Sequence, residues 1–193
     1  MPTIDHPTRA RVERVMNEAF AWLQAELLVA PEVGHNGNNG YCFVTRRGLA
    51  VQDKDRFKSY QAAAAFPKQL LHPTIADEVW ADLARGDLPT AVFRAFRAVE
   101  EAVRHAAELA ADDIGVKLMR NAFWPTGPLT DKSVPSGEQD ALMNLLAGAI
   151  GSYKNPHSHR TVTINDVQEA QEMVLLASHL LRIVDARAVT PTC

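Results

Sequence analysis

From residue 87 onward, the sustained apolar patterns of this 193-residue chain recur at three- and four-residue spacing, the mark of helices that bury one face. The clearest opens at Asp87-Leu88-Pro89, an N-cap followed by an early proline. It carries Val92, Phe93, Phe96, Val99 and Val103 on one side to about Leu109. Gly86 closes the helix before it, about Thr74 to Arg85, as the residue just past the C-cap. A short helix is predicted from Gly115 to Phe123, then a loop with Pro125, Gly127, Pro128 and Pro135. Ser136 with Gln139 predicts a capping box for a helix carrying Leu142, Leu145, Leu146, Ala149 and Ile150. Asn165 with Gln168 predicts the same device for a last helix with a long stripe from Val167 through Met173 and Leu180 to Val184. The second half therefore reads as all helix.

The first half reads differently. Apolar residues Val12, Val15, Met16, Ala19, Phe20, Leu23 and Leu27 line one face of a helix that starts at Thr8 and stops before Pro31. Gly34 to Gly40 holds three glycines and three asparagines with no apolar residue, and so reads as a loop. Tyr41 to Thr45 is rich in strand formers, Arg46-Arg47-Gly48 suits a turn, and Leu49-Ala50-Val51 suits a returning strand. The expected fold is mainly α: a helical C-terminal part preceded by a helix and small β-hairpin, a partial winged-helix-like pattern. A further helix is expected from Asp53 to Ala65, and His72 before Pro73 suits a turn anchor. The expected organisation is an N-terminal segment 1–70, a helical domain 71–187 and a tail 188–193.

Composition bounds the function. With 20 Lys plus Arg against 23 Asp plus Glu the net charge is −3, which argues against bulk non-specific nucleic-acid binding but allows a local basic site. Apolar runs such as Ala19 to Leu23 fall far short of the roughly 18 residues a membrane span needs. Cys42 and Cys193 are too few for a disulfide framework or a zinc site, and the N-terminus has no signal-peptide pattern, so the cytoplasm is the expected compartment.

Chemistry-bearing residues concentrate in Gly151-Ser152-Tyr153-Lys154-Asn155-Pro156-His157-Ser158-His159-Arg160. Pro156 lacks a backbone donor, so the preceding helix is expected to end near Asn155. His157 and His159 supply proton-transfer groups, and Lys154 and Arg160 supply cations able to neutralise a phosphate. The same residues also suit a plain helix terminus, with cations near the negative dipole end and imidazoles capping carbonyls.

Several stretches in order, Leu71-His72-Pro73, Ala95 to Glu100, Gly115 to Met119 with Phe123, and Ala147 to His159, resemble the Ymh family of prokaryotic hypothetical proteins across most of residues 70–187. The helix end is in turn similar to the Arg-x(4 to 6)-His signature of the HEPN superfamily, four-helix domains that include metal-independent ribonucleases of toxin–antitoxin, CRISPR and phage-defence systems. On that resemblance Lys154 falls on the signature arginine, Asn155 on the polar residue after it and His159 on the histidine, with His157 as an additional imidazole. It implies a HEPN-like helical bundle acting as a homodimer with a composite site, no metal or other cofactor, RNA as substrate, and an antitoxin or defence-complex partner. His159 would move a proton at the ribose 2′-hydroxyl or leaving oxygen, and Lys154 would stabilise the phosphorane. Lysine keeps the charge but lacks the bidentate fork of arginine. The other implied outcome is an inactive site in a nucleic-acid-binding or adaptor subunit.

Arg46 and Arg47, at the tip of the expected hairpin, are candidate phosphate contacts beside Arg160, although such pairs are more often simply solvated. Glu100-Glu101 and Asp112-Asp113 are adjacent in sequence, and helical neighbours one apart do not face each other, so neither pair reads as an acid/base or metal site. Trp22, Trp80 and Trp124 are expected as core or interface anchors, and His179 as a surface or packing residue.

Overall fold

The computed structural model describes residues 6–188, and only the backbone at His6, His157 and His159. Of the expected tail 188–193, all but Ala188 lies outside the described residues. The fold is mainly helical with one small antiparallel sheet, and the chain divides into two compact units between Phe57 and Lys58. No described helix is long and apolar enough to cross a membrane.

In the N-terminal unit, α1 (His6–Ala25) leads into β1 (Val29–Pro31), a one-turn helix α2 (His35–Asn38), β2 (Cys42–Val44) and the short helix α3 (Arg46–Ala50). The expected hairpin is corrected in its pairing. Tyr41–Thr45 does supply a strand, but its partner is Val29–Pro31, with Ala30 opposite Phe43. The segment expected to turn and return instead winds into a helix, because the Thr45 side chain accepts a hydrogen bond from the Gly48 amide at 3.1 Å and caps it. Gly48 fits because a Cβ there would stand 2.2 Å from the Leu28 carbonyl oxygen. The end of α1 falls before Pro31 as expected, but short of Leu27. The helix stops at Ala25, Leu27 turns at φ 54°, and the residues before Pro31 join the sheet.

The apolar face that the sequence sets out on α1 is not buried. Val12, Val15, Met16 and Phe20 are exposed, Met16 by 65%. Three-and-four periodicity specifies an apolar stripe and leaves open what covers it. Within this unit the far end of α1 meets β1, and Trp22 packs edge-on against Phe57 at 5.8 Å.

The C-terminal unit takes in α4 (Lys54–Ala65) from Lys58 onward, and with it α5 (Pro73–Ala84), α6 (Leu88–Ala106), α7 (Gly115–Phe123), α8 (Ser136–Ala149), α9 (Asn155–His159) and α10 (Val167–Ala188). At its centre α6 packs against α5 and α10, while α7 packs against α8. The expected α6 stripe is buried at Val92, Phe96, Val99 and Val103, each with no exposed surface. Asp87 caps α6 through the Thr90 amide, and Gly86 ends α5 with φ 76°. His72 caps α5, accepting from the Thr74 amide at 3.3 Å. Trp80 Nε1 donates to the Ala63 carbonyl, His179 is exposed, and Trp124 lies on the surface at 54% rather than in the core.

Neither expected capping box forms. Ser136 is already inside α8, where Pro135 is the cap, and the Gln139 side chain donates to the Val134 carbonyl instead. At α10, Asp166 rather than Asn165 accepts from the Gln168 amide, at 2.9 Å. A carboxylate one residue nearer the helix reaches the free amides better than the amide side chain before it.

Candidate functional site

The helix carrying the chemistry-bearing segment does not stop at Asn155. Between α8 and α9 the backbone widens into a π-helical turn, Ile150–Lys154, in which the Asn155 amide bonds the Ile150 carbonyl five residues back. A new α-helical turn then begins with Pro156 near its start, where a missing amide costs nothing. The proline is therefore absorbed by a local widening. Turns of this kind inside α-helices are frequent at functional sites.

The widened turn packs against α6 and α7. Tyr153 stacks on Phe96, ring centroids 5.0 Å apart, and a Cβ on Gly151 would come within 3.2 Å of Val116. Asn155 lies over the first residue of α7, Gly115, whose φ of 63° favours glycine. Lys154 turns inward. Its Nζ stands 2.9 Å from Oε2 of Glu100, and its side chain is only 15% exposed.

Glu100 is the centre of the arrangement. It is buried on α6, and its Oε1 accepts from Arg104 at 2.9 Å, while Arg104 Nε donates to the Asp113 carbonyl at 3.0 Å. Oε2 accepts no well-formed hydrogen bond, so Lys154 compensates it by charge proximity rather than by an aligned donor. A carboxylate in this position is tolerable only because two cations share it. The cluster of Glu100, Lys154 and Arg104 keeps one net positive charge, and Lys154 immediately precedes the short helix with His157 and His159.

Of the sequence-predicted residues, the structure brings Lys154 and Asn155 together against α6 and α7, and places Arg160 exposed at the end of α9. The imidazoles of His157 and His159 lie outside the described side chains. Arg46 and Arg47 are exposed on α3 of the N-terminal unit, on a helix and not on the hairpin tip expected for them.

Two residues escaped the sequence reading. Glu100 beside Glu101 does not read as a site from spacing alone, and Arg104 belongs to no motif. The signal was present, since Glu100 stands four residues after Phe96 and one after Val99, inside the apolar stripe, and Arg104 follows at i+4 on the same side. A charge written into a buried stripe needs a partner.

A second cluster has catalytic residue types without catalytic wiring. Ser178 Oγ accepts from the His72 backbone amide at 2.6 Å and donates to the Leu70 carbonyl at 3.1 Å. The His72 ring takes the Thr74 amide on Nδ1, so Nε2 bears the proton and donates to Asp185 at 2.8 Å. Neither ring nitrogen faces the serine, and the group ties α5 to α10. Among the described residues no three His, Cys, Asp or Glu side chains are grouped closely enough to hold a metal ion.

Residues 69–184 match a family model described as a protein of unknown function, Hypoth_ymh. No curated protein and no solved structure matches the chain.

Proposed function

Taking as premise that this chain belongs to the Ymh family, we propose that it is a HEPN-like, metal-independent endoribonuclease of the cytoplasm, acting in phage defence or as a toxin, with its site completed across a homodimer. The observation that supports this best is the setting of Lys154. A π-helical turn holds it over a carboxylate shared with Arg104, and the two-histidine helix follows without a break. In this reading Glu100 positions Lys154, and the net positive charge of the cluster, with Arg160 beyond it, draws in a phosphodiester. His159 transfers the proton at the 2′-hydroxyl or the leaving oxygen. The products are a 2′,3′-cyclic phosphate and a 5′-hydroxyl, which need no metal.

Purified protein should cleave single-stranded RNA in EDTA, leaving cyclic phosphate ends, and His159→Ala should abolish cleavage without altering the fold. Equal cleavage by the variant would sink the proposal. A second reading, a nucleic-acid-binding or adaptor subunit, draws on the same ion pair: an ammonium held by Glu100 is less free to grip phosphate. That reading expects RNA to be retained without turnover, with Arg46→Ala and Arg47→Ala lowering the salt dependence of binding.

A further inference from the structure

The ammonium of Lys154 is drawn to Glu100, which raises the question of what grips a phosphate at this site. The Glu100 carboxylate carries a cation on each oxygen, Arg104 on Oε1 and Lys154 on Oε2. Its own side chain is only 5% exposed, whereas those of Lys154 and Arg104 are 15% and 22% exposed, so solvent meets the cluster through its cations. One of the two positive charges stays uncompensated in this partly buried setting, where it attracts an anion more strongly than it would in bulk water.

The two cations differ in what they have left to give. A guanidinium presents its N–H donors along the edges of a rigid plane. On Arg104, Nε donates to the Asp113 carbonyl at 3.0 Å and Nη2 donates to Glu100 Oε1 at 2.9 Å, so one edge is spent on the protein and the plane is held from two sides. The other edge, formed by Nη1 and the second hydrogen of Nη2, meets no acceptor among the described residues. Parallel N–H bonds from such an edge match two oxygens of one phosphate, a geometry that an ammonium does not offer. The contact with Asp113 also fixes the place, because Asp113 stands just before Gly115, over which Asn155 lies. The guanidinium is thus anchored where α6, the start of α7 and the widened turn meet.

We propose that Arg104 is a phosphate ligand of this site, its free edge binding one phosphodiester of single-stranded RNA bidentately. It supplies from α6 the planar fork that the lysine at position 154 lacks. The inference rests on the reading above only in taking RNA as the ligand, and it holds whether or not the bound RNA is cut.

The test is binding of a labelled single-stranded RNA of mixed sequence to the full chain in EDTA, followed by fluorescence anisotropy, with His159→Ala in every protein so that the RNA stays intact. Glu100→Gln with Arg104→Gln removes one charge of each sign, keeps the net charge of the cluster and spares Lys154. Its Kd should rise at least about tenfold, and the slope of log affinity against log salt should fall by about one. Arg104→Lys keeps a cation beside Glu100 and so guards against a loss of fold; it should raise Kd severalfold with the slope unchanged. Arg97→Gln with Glu101→Gln makes the same paired change at an exposed ion pair of α6 and should leave Kd within about twofold. Full affinity in either Arg104 variant overturns the inference, as does an equal loss in the Arg97 and Glu101 control. Absence of RNA binding at about 50 mM salt by the parent protein also overturns it. Cleavage is read separately with His159 intact. Binding that depends on Arg104 without any cleavage upholds this inference and removes the ribonuclease reading, whereas cleavage with binding indifferent to Arg104 does the reverse.

Discussion

The two units of this chain use the same helical alphabet with opposite results. In the C-terminal unit Val92, Phe96, Val99 and Val103 of the α6 stripe have no exposed surface, Phe93 is half-buried, and even the stripe's one carboxylate is held by two cations. In the N-terminal unit the stripe of α1 stands open. Of the fourteen large hydrophobic residues exposed among those described, ten belong to the N-terminal unit. Amphipathic helices are therefore necessary but not sufficient for a core. The C-terminal helices have neighbours along their length in their own unit, whereas α1 meets the three-residue β1 and, through Trp22, the Phe57 ring near its far end.

Truncating an aromatic side chain in each unit should break the comparison open most widely. Phe96→Ala removes a fully buried ring that Tyr153 stacks on, and should cost about 3–5 kcal/mol of stability in urea titration. Phe20→Ala in dilute protein should stay within about 0.5 kcal/mol. Equal losses would mean that α1 is already covered in the single chain.

Gly48→Ala should act on one unit alone. The added methyl would meet the Leu28 carbonyl oxygen and the Val44 side chain, costing about 1–3 kcal/mol by overpacking. Hydrogen exchange should quicken at β1, β2 and α3 while amides of α6 and α10 keep their protection. Loss of protection in both units would show that they unfold as one.

The smallest effect concerns Asp131, whose carboxyl is held down to about 2 by hydrogen bonds from Ser133 and Arg187. A depressed carboxylate stabilises the fold once both states are ionised, so its contribution is complete above about pH 4 and is lost as pH falls from there towards 2. Asp131→Asn should lower Tm slightly at pH 6, and the gap to wild type should close by about pH 2. A gap of constant size would mean that the charge is not what holds Arg187.

Local signals in the residues were enough for α5 and α6. Gly86, Asp87 and Pro89 punctuate the chain within a few positions, and the stripe from Val92 to Val103 has the period of the helix it forms. Pairing of the strands was hidden because it is not local. Nothing local marked Val29–Pro31 as a strand, and Leu49–Val51, read as the returning strand, is largely taken up by α3, which Thr45 caps. At the candidate site, Lys154 and Asn155 were visible by type, but the inward turn of Lys154 depends on Glu100, 54 positions away in the chain. Pro156 announced an interruption correctly and its form incorrectly, since a missing amide is met equally well by a stop or by a wider turn.

That wider turn also fixes a phase. One residue more than an α-helical turn needs is wound in between Ile150 and Lys154, and in an α-helix each residue advances the azimuth by about 100°. Every position after it, from Asn155 to Arg160, is thus rotated relative to the face that α8 presents. Deleting a single residue from the turn would restore the regular pitch and swing the whole downstream segment about a quarter-turn off its present bearing, with hardly any change in composition, charge or length. The turn works as an angular setting for the helix end, adjustable in steps of one residue.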